Sequence, residues 1–551
     1  MRSTRCRKLT LPFCAVLVSS GAAAQCLDKI LPADPHDGAA FGISVALHAN
    51  RAIVGALGHG VPNPAGGPAP NADGAAYLFE RGPNGWVQTA QLFADPTSCV
   101  ANFGASVAIH GDLAFVGSPL DSTHGLNSGA VHVYERTASG WQSVAKLEGS
   151  DASTEDQFGY AVAFDGQRLA VAARWANGYT QAGTPTSSPR GAAYVFEHTG
   201  GAWVQTAELQ ATQLVGAEQY AYAIALSGDW LAVGAPLTNG ATRSAGAVYL
   251  YRRNGGAWVY DSKLTPTGSS YGDYFGKSVA LEGTRLLVGA TLDDEIQGNA
   301  GAAYVFEFGP NGWTQTAKLH GAGVITQEQF GWSVALDGEH ALIGDNDFQD
   351  FNGGAAHLFE HRTEGWFELA RLQPDYSYTS VFSRAVALSD GTALVGSRYD
   401  DTQAHSGGAV YSFGVPTANS VQASTQQISA ATGGSQVLQI DAGCTFAGRV
   451  YLTLGSLGGY APGLDMKPLI VPLNPDAYFF LTLQAPNHAP LSSSLGVLDA
   501  QGRGATTISI APGSVANLVG LTGWHAFGVV LFDPYAFVAF ASAPQRLDIA
   551  P

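Results

Sequence analysis

Charge is scarce in this chain, and positive charge scarcer still. Asp, Glu, Lys and Arg make up 13% of 551 residues, with 27 Lys and Arg against 44 Asp and Glu. A net charge of −17 repels phosphate backbones, so no nucleic-acid partner is expected. Long apolar runs are also missing. The nearest approach, LTLPFCAVLVSS, has about 11–12 residues and is too short to span a bilayer. No transmembrane segment is therefore expected in the mature chain. There is no HExxH, no GxSxG and no P-loop, which removes the commonest metalloprotease, hydrolase and NTPase signatures. Nothing reads as a long amphipathic helix, while 69 glycines suit many short strands joined by turns.

The first 24 residues read as a secretory signal. Arg2, Arg5, Arg7 and Lys8 precede the short apolar run, and Ala22-Ala23-Ala24 offers a small-residue cleavage site before Gln25. Two of the five cysteines, Cys6 and Cys14, would leave with that segment. Cys26, Cys99 and Cys444 remain, an odd number that permits at most one internal disulfide. A Cys26–Cys444 staple is the pairing carried forward, although spacing alone does not fix it.

The stretch FGKSVALEGTRLLVGA, from Phe275, organises the rest. Related versions begin at Phe41, Phe103, Phe158, Tyr220, Phe330 and Phe382, spaced 52 to 62 residues apart. Repeats of about this length mark a propeller or a similar array. Each unit holds four strand-like runs. In the fifth these are strand A (Phe275–Glu282), strand B (Arg285–Ala290), strand C (Gly301–Phe308) and strand D (Trp313–Leu319). Seven units of four strands predict an all-β, seven-bladed β-propeller over residues 25–414. The strand-D tryptophans, at Trp86, Trp141, Trp203, Trp258, Trp313 and Trp366, read as packing between blades rather than sugar platforms. The seventh unit lacks strand D, and CLDKILPAD at Cys26–Asp34 is expected to supply it, closing the ring and covering an open strand edge.

The Phe-Gly openings together with Val233-Gly234-Ala235-Pro236 resemble the FG-GAP repeats of integrin α-subunit propellers and their bacterial relatives. That resemblance implies an extracellular propeller used in adhesion or ligand binding. Integrin-type repeats often carry a calcium loop between the FG and GAP strands. Here that place holds only tight turns such as Gly111-Asp112, Asp165-Gly166 and Asp337-Gly338, so the calcium site does not carry over.

Strand alternation puts the short A–B and C–D turns on one face and the long B–C and D–A loops on the other. Functional residues concentrate on such loops. Candidate ligand contacts on that face are Trp175, Tyr179, Tyr271, Tyr274, Phe348, Tyr376 and Tyr399, with Asp293, Asp294, Asp400 and Asp401. Carboxylates mixed with aromatic rings suit a glycan, a peptide or a cation-bearing ligand, or else simply solvate loops and cover blade edges. The densest cluster, DNDFQDFNGG, offers Asp345, Asp347 and Asp350 as oxygen ligands for Ca²⁺, without the spacing of an EF-hand. No cofactor is required by any motif.

Residues 415–427 read as a polar linker, and 428–551 as a β-sandwich accessory domain built from runs such as SQVLQIDA, RVYLTLGS and YFFLTLQ. Within it, LGVLDAQGRGATTISI resembles a C-terminal module of secreted proteins from environmental bacteria. The expected function is a secreted, non-catalytic binding or adhesion protein whose partner is a glycan or a cell-surface protein. The alternatives are an extracellular polysaccharide-active enzyme on a propeller scaffold and a structural component of the cell envelope.

Overall fold

The computed structural model describes residues 28–58, 74–94, 101–176, 190–211, 219–239, 243–268, 270–321, 326–346, 354–363, 365–373, 381–415, 421–442, 446, 448–458, 464–466, 469–471, 473–474, 476–499, 501–512, 519, 521–532, 536–542 and 545–550. The signal-like segment, Cys26, Cys99 and Cys444 lie outside the described residues, as does the proposed staple.

Leu27–Val415 forms one compact unit of seven four-stranded antiparallel sheets. In the fifth blade, Phe275–Glu282, Arg285–Ala290, Ala302–Gly309 and Gly312–Leu319 pair in chain order. The two-residue turn at Gly283-Thr284 needs a left-handed residue, and Gly283 supplies it at φ +54°. Alternation in Arg285–Ala290 gives way to nearly continuous burial, as expected of a strand covered on both faces by neighbouring blades.

Blades meet where strand C of one starts beside strand A of the next. Gly301 forms a parallel bridge to Phe330, and a Cβ at Gly301 would lie 2.2 Å from the Phe330 carbonyl oxygen. Only glycine permits that approach. The bridge between Gly408 and Phe41 joins blade seven to blade one. The innermost strands touch one another all the way round. Asp28–Ile30 pairs antiparallel with Ala409–Gly414, so the last blade is built from both ends of the propeller segment.

One packing motif repeats in every blade. The first ring of the Phe-Gly opening sits edge-on to the strand-C ring, from Phe41–Tyr77 at 5.3 Å to Phe382–Tyr411 at 5.5 Å. His132 and His357 take the tyrosine place at 5.2 Å from Phe103 and Phe330. Edge-to-face pairs of this kind add roughly 0.5–1.5 kcal/mol beyond area burial. The strand-D tryptophans reach the preceding blade: Trp203 packs on Phe115, Trp313 on Trp230, and Trp86 Nε1 donates to Ser412 Oγ. Each apolar cluster accordingly spans two blades rather than filling one.

Pro416 onward belongs to a separate compact unit, a β-sandwich. One sheet orders Val421–Ala423, Gly434–Asp441, Arg503–Ile510 and Leu491–Ser492. The other centres on Thr522–Phe532 between Val450–Ser456 and Gln545–Ala550. The Thr453 and Thr506 hydroxyls, 2.7 Å apart, link the two sheets. Two expectations change. Val421–Ala423, placed in a linker by its polarity, is an edge strand of the first sheet. YFFLTLQ is not a strand but most of a helix, Ala477–Gln484. Asp476 caps it by accepting from Phe479 N at 2.7 Å, and a short apolar run is ambiguous between helix and strand without such a cap.

Candidate functional site

The long B–C and D–A connections do share one end of the propeller, but two of the acids expected there face inward. Asp293 is 3% exposed, accepting from Tyr304 Oη at 2.7 Å and from Lys318 Nζ at 2.9 Å. Asp400 is 7% exposed, with Lys29 Nζ at 2.8 Å and Tyr411 Oη at 2.7 Å. Burial alone would raise the Asp400 carboxyl, yet hydrogen bonds from Lys29, Thr402 and Tyr411 hold it below the usual range. Asp121 and Lys146 repeat the pairing in blade two. These carboxylates anchor a loop to strands C and D of their own blade and are not free to contact a ligand.

Asp345 is also internal. Its Oδ1 accepts from Ala355 N at 2.5 Å and its Oδ2 lies 3.2 Å from His357 Nε2. Both oxygens are committed, so Asp345 does not fit the calcium role expected of it. Asp347 and Asp350 lie outside the described residues, together with Tyr179, Phe348 and Tyr376. Among the described residues no group of three His, Cys, Asp or Glu side chains is placed to hold a metal. The A–B connections are two-residue turns in blade five and blade one, with no oxygen-rich loop to replace those ligands.

Of the remaining candidates, Asp294 and Asp401 are exposed, and Asp401 caps its own loop by accepting from Ser406 N at 2.6 Å. Tyr271 is 70% exposed, and Tyr274 is half-buried with φ +59°. Trp175 and Tyr399 are half-buried beside arginines, at 5.4 Å from Arg174 and 4.3 Å from Arg398. Those two arginines lead to a cluster that the loop-centred reading missed.

The cluster is built at the third residue of each Phe-Gly opening. Round the ring this position holds Ile43, Ala105, Tyr160, Tyr222, Lys277, Trp332 and Arg384. Pairing with strand B slips there: Phe275 faces Ala290 and Ser278 faces Gly289, which leaves Gly276 and Lys277 in a bulge. A bulge re-aims the side chain it releases. On the innermost strand, at the long-loop end, the released side chains of blades three to seven meet around the axis.

Tyr160 and Tyr222 stack edge-on at 5.4 Å. Lys277 Nζ donates to Tyr222 Oη at 2.6 Å and lies 4.3 and 4.6 Å from the Tyr222 and Trp332 ring centres. Arg384 covers the Trp332 ring at 4.4 Å, and Arg174 covers Tyr160 at 4.0 Å. All are half-buried. Burial is the main cause that pushes Lys277 down to about 8; the Tyr160 phenol partly offsets it, and repulsion from Arg384 and Arg174 adds to it. Burial likewise lowers Arg384 and Arg398, and Arg398 repels Arg384. Chemically, the arc offers hydrogen-bond donors and ring surfaces at the mouth of the channel. Comparing the seven repeats column by column would have exposed it, since from blade three to blade seven this position holds large residues between neighbours that are always Gly, Ala or Ser.

A family model described as FG-GAP repeat matches residues 27–79, 86–134, 141–196, 203–251, 258–306, 313–359 and 366–413. No curated protein matches the chain. Among solved structures, the crystal structure of Chaetomium thermophilum Sqt1 is similar over 68% of this chain and 83% of that one, at 14% identity and a TM-score of 0.40.

Proposed function

The chain belongs to the FG-GAP repeat family, and from that premise we propose that it is a non-catalytic binding protein, acting outside the cell, that takes its ligand at the long-loop mouth of the propeller axis. The observation that carries this reading is the bulged position of the Phe-Gly opening. A rigid, repeated scaffold holds five contiguous blades in register, and at that one position they present large side chains of four kinds: Tyr160, Tyr222, Lys277, Trp332 and Arg384. Packing alone would favour one solution repeated, as the Phe and Tyr rings show. The extracellular setting rests on the signal-like first 24 residues. The non-catalytic reading rests on the sequence, in which none of the commonest metalloprotease, hydrolase or NTPase motifs occurs.

The test is binding of the purified chain to arrays of glycans and of cell-surface proteins, with hydrogen exchange on any ligand found. Protection is expected in peptides covering 158–162, 275–279, 330–334 and 382–386, and Trp332→Ala should weaken binding at least tenfold. Protection confined to the outer strands, or release of products from the ligand, would count against the proposal.

A further inference from the structure

We propose that Arg174, Lys277, Arg384 and Arg398 form an oxyanion site, so that the ligand taken at the mouth carries carboxylate, sulfate or phosphate groups. This rests on reading the mouth as the ligand-binding end, and narrows the ligand's chemistry.

Elsewhere in the propeller several half-buried cations are matched by carboxylates: Lys318 with Asp293 at 2.9 Å, Lys146 with Asp121 at 3.0 Å, Arg51 with Glu80 and Arg285 with Glu307 at 3.1 Å. Acids outnumber bases 44 to 27, so a carboxylate is the readily available neighbour. At the mouth the pattern differs. Among the described residues, the charged or ionisable groups that act most on Lys277 are Arg384, Arg174 and the Tyr160 phenol; those that act most on Arg384 are Arg398 and the phenols of Tyr222, Tyr160 and Tyr399. No carboxylate is among them.

Half-buried cations are costly unless something offsets their lost hydration. Aromatic faces recover part of that cost without cancelling the charge. Each ring also fixes its cation's place: Arg384 on Trp332, Arg174 on Tyr160, Arg398 on Tyr399. Arg174 Nε is further held by Gln157 Oε1 at 2.9 Å. Arg398 Nε is buried with no hydrogen-bond partner among the described residues, a donor left to be filled. A structural role explains any one cation resting on a ring. It does not explain four cations gathered on neighbouring rings, where burial first, and then repulsion from Arg384 and Arg174, loosens the Lys277 proton. An oxyanion satisfies the unused donors and relieves that repulsion, and the guanidinium fork matches carboxylate, sulfate and phosphate geometry. The net charge of −17 opposes long polyanions at a distance, so the site suits a few localised anionic groups on a larger, otherwise neutral body.

The test uses the full chain and four versions of it: wild type, Lys277→Met, Arg384→Gln, and Arg243→Gln as a control cation on an exposed loop of the same end. Citrate, inorganic sulfate and inorganic phosphate are titrated by calorimetry and by thermal shift, with ionic strength held constant by sodium chloride. The three anions separate a carboxylate preference from sulfate and phosphate preferences. At least one anion should bind wild type and Arg243→Gln alike and bind both mouth variants at least tenfold more weakly. Arg398→Gln replaces either mouth variant if circular dichroism shows that it has not folded. Equal response in all versions, or no response to any anion, overturns the assignment. An array ligand lost in Trp332→Ala but indifferent to Arg384→Gln would overturn the oxyanion site while leaving the mouth as the binding end. An array ligand indifferent to both would overturn the reading of the mouth itself.

Discussion

Lys277 combines the two properties on which the account turns, a place on the axis and a proton held loosely. Its value of about 8, against an ordinary 10.5, sets a stability window. Between those values the unfolded chain keeps a proton that the folded chain has released, so stability rises with pH across the window. Below about pH 8 both states hold the proton, and the full cost of burying the ammonium is present. In anion-free buffer, Lys277→Met is expected to stabilise the fold by roughly 1–2 kcal/mol at pH 7, with the gain shrinking towards pH 10.5. Thermal unfolding of both proteins from pH 7 to 10.5 checks this. A gap that stays constant, or widens with pH, would contradict it. Residues were also where sequence reasoning went furthest astray. Asp293 and Asp400 look like loop acids, but their partners are remote in sequence: Lys318 lies 25 residues beyond Asp293, and Lys29 lies 371 residues before Asp400. Asp121 and Lys146 share the 25-residue interval, and both members are replaced in blade three, by Ala176 and Glu208. That joint replacement was the available sign that the acids belong to the blade.

The single blade is the element at which fold and sequence agree most closely. Period-two runs, glycine turns and a fixed ring at each strand start were enough to place the strands, because these local signals all favour one pairing. Substitutions within the motif were legible for the same reason: His132 and His357 stand where other blades have tyrosine, and they pack as tyrosine does. What could not be read was the second task of His357. Its ring lies 2.6 Å from Glu368 and 3.2 Å from Asp345. Burial by itself would lower it, but those two carboxylates outweigh burial and hold it up to about 9. The resulting stabilisation is fully present below pH 6.5 and is lost as pH rises through about 9. His357→Ala should cost roughly 3–5 kcal/mol at pH 6.5, because it strands buried carboxylates, and the deficit should narrow by pH 9.5. Denaturant unfolding at those two pH values measures it, and a loss below about 1 kcal/mol at both would refute the anchor.

At the scale of the molecule, the missing outer strand of the seventh repeat was a countable absence, and Asp28–Ile30 beside Ala409–Gly414 fills that position. Lys29 then bonds Asp400, so the closure is both a strand pairing and a half-buried ion pair. Removing residues 28–30 should destabilise the chain by at least about 3 kcal/mol and expose a strand edge that promotes self-association. Melting temperature and light scattering after gel filtration report both effects, and an unchanged monomer with wild-type stability would refute closure. The axial arc was the least legible feature, because its members are 62, 55, 55 and 52 residues apart and meet only once the ring is formed. The most direct test of the whole account is an anomalous-scattering map from crystals of the full chain grown with selenate. It should show seven blades and a selenate on the axis between Lys277 and Arg384. An open or differently numbered ring, or selenate bound only elsewhere while the arc stays empty, would contradict it.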